Sequence, residues 1–250
     1  SISANNDKEI GGLISQAFSK VGKDGIVTVE DQTRGIETTV DVVEGMQFDR
    51  GYISPYFMTD LEKKTTTLEN PYILVADMKL VNFKDLIGVI EPIARNSESL
   101  LIIAQDVEGE LLNTLITNRV KGAIKVACVK APGIGSRVTD YLEDIALITG
   151  ATMLSNTKGL PVSKMETSFL GRASKVIITE RTTTISGGAG DKEKIKERVS
   201  QLKSQESSAV KDYDKEVLRE RTAKLQGGVG VIYVGAPSEV EMKEKRDRIE

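Results

Sequence analysis

The sequence contains no histidine and no tryptophan, and aromatic residues make up only 4% of its 250 residues. Without histidine, the chain lacks the commonest general base and the commonest protein ligand of metals. A Ser-His-Asp or Cys-His mechanism and a Cys/His zinc site cannot be assembled from these residues. Carboxylate-only chemistry stays open, but the sequence points to no catalytic residue and no metal site.

Cysteine is almost absent as well, because Cys128 is the only one. An intrachain disulfide is therefore impossible, and a reducing compartment fits this composition. Cys128 lies in the apolar run 126–129, which predicts a buried small side chain rather than a nucleophile.

Long apolar runs and runs of like charge are also missing. The net charge is −3 with 28% charged residues of mixed sign, which argues against a nucleic-acid-binding surface. No apolar run approaches the length that spans a membrane. Residues 1–6 resemble neither a signal peptide nor an initiator start, so we expect an excised fragment.

What is present is an alternation of strand and helix patterns from about Tyr72 onward. Apolar runs that predict strands alternate with amphipathic patterns that predict helices, and this order favours an α/β layer with a largely parallel sheet. The predicted strands are 73–76, 100–104, 124–129, 176–178 and 182–185, and the predicted helices are 82–95, 108–120 and 138–149. The flanking regions predict helices over 10–21, after 190 and from 238, and strands over 25–30, 36–42 and 231–234.

Four aromatic residues crowd into residues 44–57, namely Phe48, Tyr52, Tyr56 and Phe57. Gly45, Gly51 and Pro55 interrupt any regular period, so the segment is predicted to be a loop. An aromatic surface loop typically contacts an apolar partner. The alternative is that the rings turn inward and cap the edge of a core.

The predicted helices 82–95 and 108–120 have wide apolar faces, about 160° and about 180° of the helical wheel. A helix on a sheet needs an apolar stripe of only about 100° or slightly more. The surplus can face solvent and form a groove for a peptide segment, or it can be buried under other elements.

A glycine-rich turn over 131–137 follows a strand and precedes a helix. Such a turn can hold a phosphate at the helix N-terminus, although both full phosphate-binding motifs are missing. An ordinary strand-to-helix turn is the other interpretation. The turn and the sheet pattern keep an α/β nucleotide-binding enzyme as the alternative function, and a plain interaction module is a third.

The run 46–52, Met-Gln-Phe-Asp-Arg-Gly-Tyr, resembles the signature of group I chaperonins, the bacterial GroEL type and its organellar relatives. Further similar segments follow in family order over essentially the whole chain: 3–6, 21–25, 101–104, 106–110, 129–133, 212–215 and 239–245. The resemblance implies an apical polypeptide-binding domain over 45–228. This domain would be inserted into a small α+β intermediate domain made of 1–44 and 229–250.

The resemblance also implies roles for particular residues. Hinges between the domains would be Gly45, Gly227 and Gly228, although these glycines also suit ordinary loops and helix ends. Arg50 and Glu239 would pair between neighbouring subunits. Non-native polypeptides and the co-chaperonin would contact Tyr52, Tyr56, Phe57, Ile87, Ile90, Leu112 and Ile116, with Thr117 and Asn118 at the edge. The chain departs from the family at Thr117, usually aliphatic, and at Pro92, where we expect a kinked helix.

The implied function is that of a molecular chaperone fragment with no chemistry of its own and no cofactor. The full-length protein would use Mg-ATP, bind a GroES-type co-chaperonin and assemble with sister subunits into a double ring. Its ATP-binding domain and hydrolytic aspartate would lie outside these residues. Nucleic acid and membranes are not expected partners, and the implied location is the bacterial cytoplasm or an organelle matrix or stroma.

Overall fold

The computed structural model describes residues 11–19, 26–31 and 37–235. Within them, helices and strands build a mixed α/β fold with three sheets, as the alternating sequence pattern predicts. The helices are α1 (11–19), α2 (Ile87–Arg95), α3 (Gly109–Val120), α4 (Arg137–Thr149), α5 (Lys192–Ser208) and α6 (Asp212–Gly227). The strands are β1 (Ile26–Asp31), β2 (Thr39–Val43), β3 (Gly45–Phe48), β4 (Thr66–Glu69), β5 (Tyr72–Leu80), β6 (Ser99–Val107), β7 (Lys125–Lys130), β8 (Gly171–Arg172), β9 (Lys175–Ile178), β10 (Thr183–Ser186) and β11 (Val229–Val234).

The central sheet has the strand order β7-β6-β5-β8 and forms most of the core. Strands β5, β6 and β7 are parallel, and the short β8 joins antiparallel to β5. Five consecutive residues of β6, from Leu100 to Ala104, have no exposed surface. Such continuous burial is expected of a parallel strand covered on both faces.

A second, antiparallel sheet has the order β3-β10-β9-β4. Its first strand, β3, corrects the prediction that all of 44–57 is a loop. Met46 and Phe48 lie in this strand with almost no exposed surface. The strand is only four residues long and begins with glycine, so its alternation is too short to stand out in the sequence.

The third sheet, which we call the end sheet, has the order β1-β11-β2. Its strands come from residues before 44 and after 228, and β1 and β11 pair in parallel across about 200 residues of chain. Glu44 alone separates β2 from β3, and Gly228 alone separates α6 from β11. Lys175 of β9 links the antiparallel sheet to the end sheet, with its Nζ 3.7 Å from the carboxylate of Glu30.

The hairpin of α5 and α6 packs against α4 through a buried ion pair. Arg221 donates from Nε to Oδ2 of Asp144 at 2.7 Å and from Nη2 to Oδ1 at 3.0 Å. Arg198 adds a bond to Oδ1 at 3.2 Å. Burial raises the pKa of Asp144, and the hydrogen bonds and charge of Arg221 oppose that rise. The pair therefore fixes one carboxylate between three helices.

The helix predicted over 82–95 begins later, at Ile87, because a 3-10 turn over Phe83–Asp85 precedes it. The helix then continues through Pro92 to Arg95. Cys128 is fully buried, as predicted, and burial raises the pKa of its thiol. The helix predicted from 238 lies outside the described residues. Within the described ranges, no helix has the length and apolar character needed to cross a membrane.

Candidate functional site

Helices α2 and α3 provide two sides of the candidate site. Each connects consecutive parallel strands in the same direction across the central sheet, first β5 to β6 and then β6 to β7. Because such connections are almost always right-handed, both helices lie on one face of that sheet. That the two helices form a binding groove stays a prediction.

Helix α3 is anchored by Leu111 and Leu115, which have no exposed surface. Beside this anchor, Leu112 and Ile116 are half-buried. At about 100° per residue, Leu112, Ile116 and Arg119 lie within about 60° of one another. We call these three residues the α3 row.

Arg119 shows which way the α3 row faces. Its Nη2 donates to the carbonyl oxygen of Met58 at 2.6 Å. Met58 directly follows a 3-10 turn over Pro55–Phe57, which packs against α3 and β7. The apolar part of the row therefore lies next to the turn that carries Tyr56.

The two neighbouring aromatic residues of this turn point in opposite directions. Tyr56 is 63% exposed, whereas Phe57 is fully buried. The Oγ of Ser54 accepts a hydrogen bond from the amide of Tyr56 at 3.2 Å and so caps the turn. The solvent-facing interpretation of the aromatic segment is thus right for Tyr56, and the inward-facing interpretation is right for Phe57. The prediction that Phe57 contacts a partner needs correction, because a fully buried ring cannot contact a partner directly.

The prediction that Ile90 of α2 contacts a partner also needs correction, because only 4% of this residue is exposed. It packs into the core with Val89 and Ile93. Ile87, one turn earlier, is 45% exposed and presents its side chain to solvent. The burial of Ile90 holds α2 in place, and Ile87 offers the contact surface.

Thr117 and Asn118 do not belong to the α3 row. On the wheel, Thr117 lies about 100° from Ile116, and Asn118 about 160° from it. The Thr117 hydroxyl donates to the Asn113 carbonyl, and the Asn118 amide donates to the Thr114 carbonyl, each at 2.8 Å. Both polar groups are satisfied within the helix, and Asn118 faces away from Tyr56.

Tyr52 is half-buried beside the core, and its hydroxyl donates to the Lys64 carbonyl at 3.1 Å. Among the predicted site residues, Tyr56 and Ile87 are thus exposed, and Tyr52, Leu112 and Ile116 are half-buried. The structure brings the turn of Tyr56 together with α3. Val120 was not among the predicted site residues, yet it is 61% exposed at the end of α3. Its position four residues after Ile116 was the available signal.

Arg50 forms its hydrogen bonds within its own chain. Its Nε donates to the Ala131 carbonyl at 3.1 Å, and its Nη2 donates to the Gly133 carbonyl at 3.3 Å. Glu239, its predicted partner in a neighbouring subunit, lies outside the described residues. Arg50 therefore already has a structural role, which is to brace the glycine-rich turn.

The glycine-rich turn has the bonding of an ordinary strand-to-helix turn. Its carbonyls face Arg50, and the amides of Arg137 and Val138 bond within the turn to Ile134 and Gly135. A phosphate site would instead direct such amides at the ligand. The geometry thus gives little support to the nucleotide-binding alternative.

Two of the three predicted hinge glycines have steric reasons to be glycine. A Cβ at Gly45 would overlap the Ile185 carbonyl and lie 2.9 Å from Cγ2 of Val229. Gly228 has a φ of +65°, and its Cβ would lie 2.8 Å from the Val43 carbonyl oxygen. Gly227 is the last residue of α6. Close packing explains Gly45, a left-handed backbone explains Gly228, and the hinge role stays a prediction.

We expect Gly45→Ala to lower the free energy of unfolding by about 1–3 kcal/mol, because the added methyl group overpacks the sheet contact. The matched control is Gly88→Ala in α2, where a Cβ would meet no atom within 4 Å. That change should stabilise the exposed helix by about 0.5–1 kcal/mol. Urea denaturation of both variants provides the measurement. Equal effects would contradict the packing explanation for Gly45.

No protein-family model matches the chain. Function is therefore inferred from the geometry of the site, together with the resemblance of its segments to group I chaperonins.

Proposed function

We propose that this chain is a molecular chaperone fragment that binds non-native polypeptides, the clients, and a GroES-type co-chaperonin. The binding surface consists of Tyr56, Ile87, Leu112, Ile116 and Val120. The observation that carries the proposal is that three separate elements, the 3-10 turn, α2 and α3, leave apolar side chains exposed or half-buried, and that the turn packs against α3. Exposed apolar patches of this kind mark interaction surfaces.

We expect this surface to be rigid, because each of its three elements is anchored by a buried residue. Phe57 anchors Tyr56, Ile90 anchors Ile87, and Leu111 with Leu115 anchors the α3 row. Rigid apolar groups lose little conformational entropy on binding, so more of the burial energy remains for the client. Each Leu, Ile or Phe side chain that a client buries contributes about 1.5–3 kcal/mol.

We further propose the domain arrangement that the resemblance implies. Residues 45–228 form the apical, polypeptide-binding domain, and 1–44 with 229–250 belong to the intermediate domain. The construction of the end sheet from strands on either side of 45–228 supports this division. Gly45, Gly227 and Gly228 would then lie at the hinges, and Arg50 and Glu239 at contacts with sister subunits.

In the full-length protein, Mg-ATP would drive this domain between two conformations of different client affinity, which any ligand-driven switch requires. The co-chaperonin would then displace the client. The fragment itself needs no cofactor and carries out no reaction on the client. The proposed location is the cytoplasm of a bacterium or the matrix or stroma of an organelle.

The proposal is tested by capture of a chemically denatured client upon dilution, with the same client in its native state as the control. We expect a stable complex with the denatured client alone. Because the contacts are apolar, capture should survive 1 M salt, where screening removes interactions between exposed charges. Titration with Mg-ATP in parallel tests the enzyme alternative.

Equal capture of native and denatured client, or loss of capture at high salt, would overturn the proposed function. Saturable Mg-ATP binding at micromolar concentration would favour the nucleotide-binding enzyme instead.

A further inference from the structure

A cleft of about 740 Å³ opens beyond the C-terminal ends of α2 and α3. Its floor contains Leu68, Ile124 and Val126, and its rim includes Arg119 and Lys125. The floor side chains are nearly buried. The long aliphatic stems of the two basic residues add apolar surface to the walls of the cleft. The volume lies within the range of about 300–1,000 Å³ that is usual for ligand sites.

The cleft continues the candidate binding surface. Arg119 is the last member of the α3 row and also lines the cleft. Leu112 and Arg119 are seven residues apart, which corresponds to about 10.5 Å along a helix. An extended peptide covers that distance with about three residues. A client segment lying along the row therefore reaches the cleft with its next residues.

The acidic and basic residues of the cleft differ in their partners. Arg172 pairs with Glu98 at 3.5 Å, and Glu69 pairs with Lys175 at 3.4 Å, so both acidic groups of the cleft have a cation nearby. Arg119 and Lys125 bond to neutral carbonyls instead, those of Met58 and Ser97.

Neither Arg119 nor Lys125 forms an ion pair with any residue in the described ranges. The Arg119 guanidinium, with five N–H donors, keeps donors available for a further acceptor. These two cations are suited to a carboxylate.

We propose that this cleft binds the continuation of an extended client segment, with an apolar side chain above the floor and an acidic side chain at Arg119 and Lys125. The inference rests on the proposed function and adds a substrate class to it. The preferred client segment is apolar residues followed, after about three positions, by an aspartate or glutamate. The α3 row makes apolar contacts with the client. The cleft selects client segments that extend beyond the row and carry an acidic residue.

Disulfide trapping tests where the segment lies. Cys128 is fully buried and its thiol pKa is raised, so an introduced surface cysteine reacts selectively in the folded protein. Lys125→Cys places a thiol on the rim, and Lys203→Cys on the exposed face of α5 is the control. The probes are a five-residue apolar peptide and two 12-residue peptides that extend it with a segment containing a glutamate. Each peptide is activated as a mixed disulfide, and the two 12-residue peptides carry this group at opposite ends.

We expect one of the 12-residue peptides to trap Lys125→Cys at least about tenfold faster than Lys203→Cys, because binding raises the effective concentration near the rim. The short peptide should trap neither cysteine. Replacing the glutamate by glutamine should weaken binding to the otherwise unchanged protein by about two- to fivefold, the effect of an exposed ion pair. Lys125→Glu should abolish that preference, and Lys203→Glu should leave it intact.

If the long and short peptides bind equally, and trapping is the same at both cysteines, the cleft assignment is overturned while the proposed function stands. Absence of binding by every peptide would overturn the proposed function and the cleft assignment together.

Discussion

Replacing Arg221 by methionine should lower the free energy of unfolding by about 3–5 kcal/mol, because the change leaves a buried carboxylate without its main partner. Asp144 is 2% exposed, and Arg221 supplies two of its hydrogen bonds. Arg198 remains as a partner at 3.2 Å, but its side chain is partly exposed and makes one bond. Urea denaturation followed by circular dichroism measures the loss.

The matched control is Arg219→Met in the same helix. Arg219 also pairs with a carboxylate, Glu206 at 3.0 Å, but its side chain is 68% exposed. Exposed pairs contribute only about 0–1 kcal/mol, so this variant should be nearly as stable as the unchanged protein. Similar losses in both variants would show that the Asp144 pair has no special structural role. The double change of Asp144→Leu with Arg221→Met should recover much of the stability, because no fully buried charge then lacks a partner. Arg198 loses Asp144, but its side chain is partly exposed and keeps Glu143 at 3.9 Å.

Tyr56→Glu should weaken binding of a denatured client by about 30-fold or more, the loss typical of a central aromatic contact residue. The introduced carboxylate must lose its hydration when a client covers it, which adds to the loss of the ring. The stability of the variant should stay almost unchanged, because Tyr56 is 63% exposed and its buried neighbour Phe57 is retained. Fluorescence anisotropy of a labelled denatured client measures binding, and thermal unfolding measures stability.

Tyr213→Glu offers a control with the same substitution and the same starting exposure of 63%. Tyr213 lies at the start of α6, where Arg137 stacks on its ring at 4.1 Å, and belongs to a different surface. Its variant should bind the client normally. Equal loss of binding in the two variants would mean that charge in general, rather than the proposed surface, controls capture.

The central sheet was predictable because its strands carry continuous apolar runs that parallel, doubly covered strands require. The run that became Leu100–Ala104 of β6 is the clearest case. Strands β3 and β4 escaped prediction for the opposite reason. Each has four residues, and such a length gives too few alternations to separate a strand from a loop.

The candidate site was predictable as a region but not side chain by side chain. In a 3-10 turn, successive residues point about 120° apart, so neighbouring aromatic residues cannot share one environment. The sequence does not specify which of Tyr56 and Phe57 turns inward, because both are large and apolar. Ile90 was misassigned because the helical pattern places it beside Ile87 without fixing how far the helix tilts into the core.

Arg119 was absent from the predicted site because a charged residue on an apolar helix is typically a solvated surface group. Its significance depends on a hydrogen bond to Met58, 61 residues earlier in the chain. A contact between residues so far apart leaves no local signal in the sequence. The same holds for Arg50, which braces carbonyls more than 80 residues away.

The pairing of β1 with β11 has a consequence for the order of folding. Joining two strands across about 200 residues of unfolded chain carries a large entropic cost of loop closure. Once residues 45–228 have folded, the two ends of that segment are neighbours, since a Cβ at Gly228 would lie 2.8 Å from the Val43 carbonyl oxygen. The remaining closure is then short. We therefore expect the end sheet to acquire protection from hydrogen exchange last during refolding, and only after the central sheet has formed.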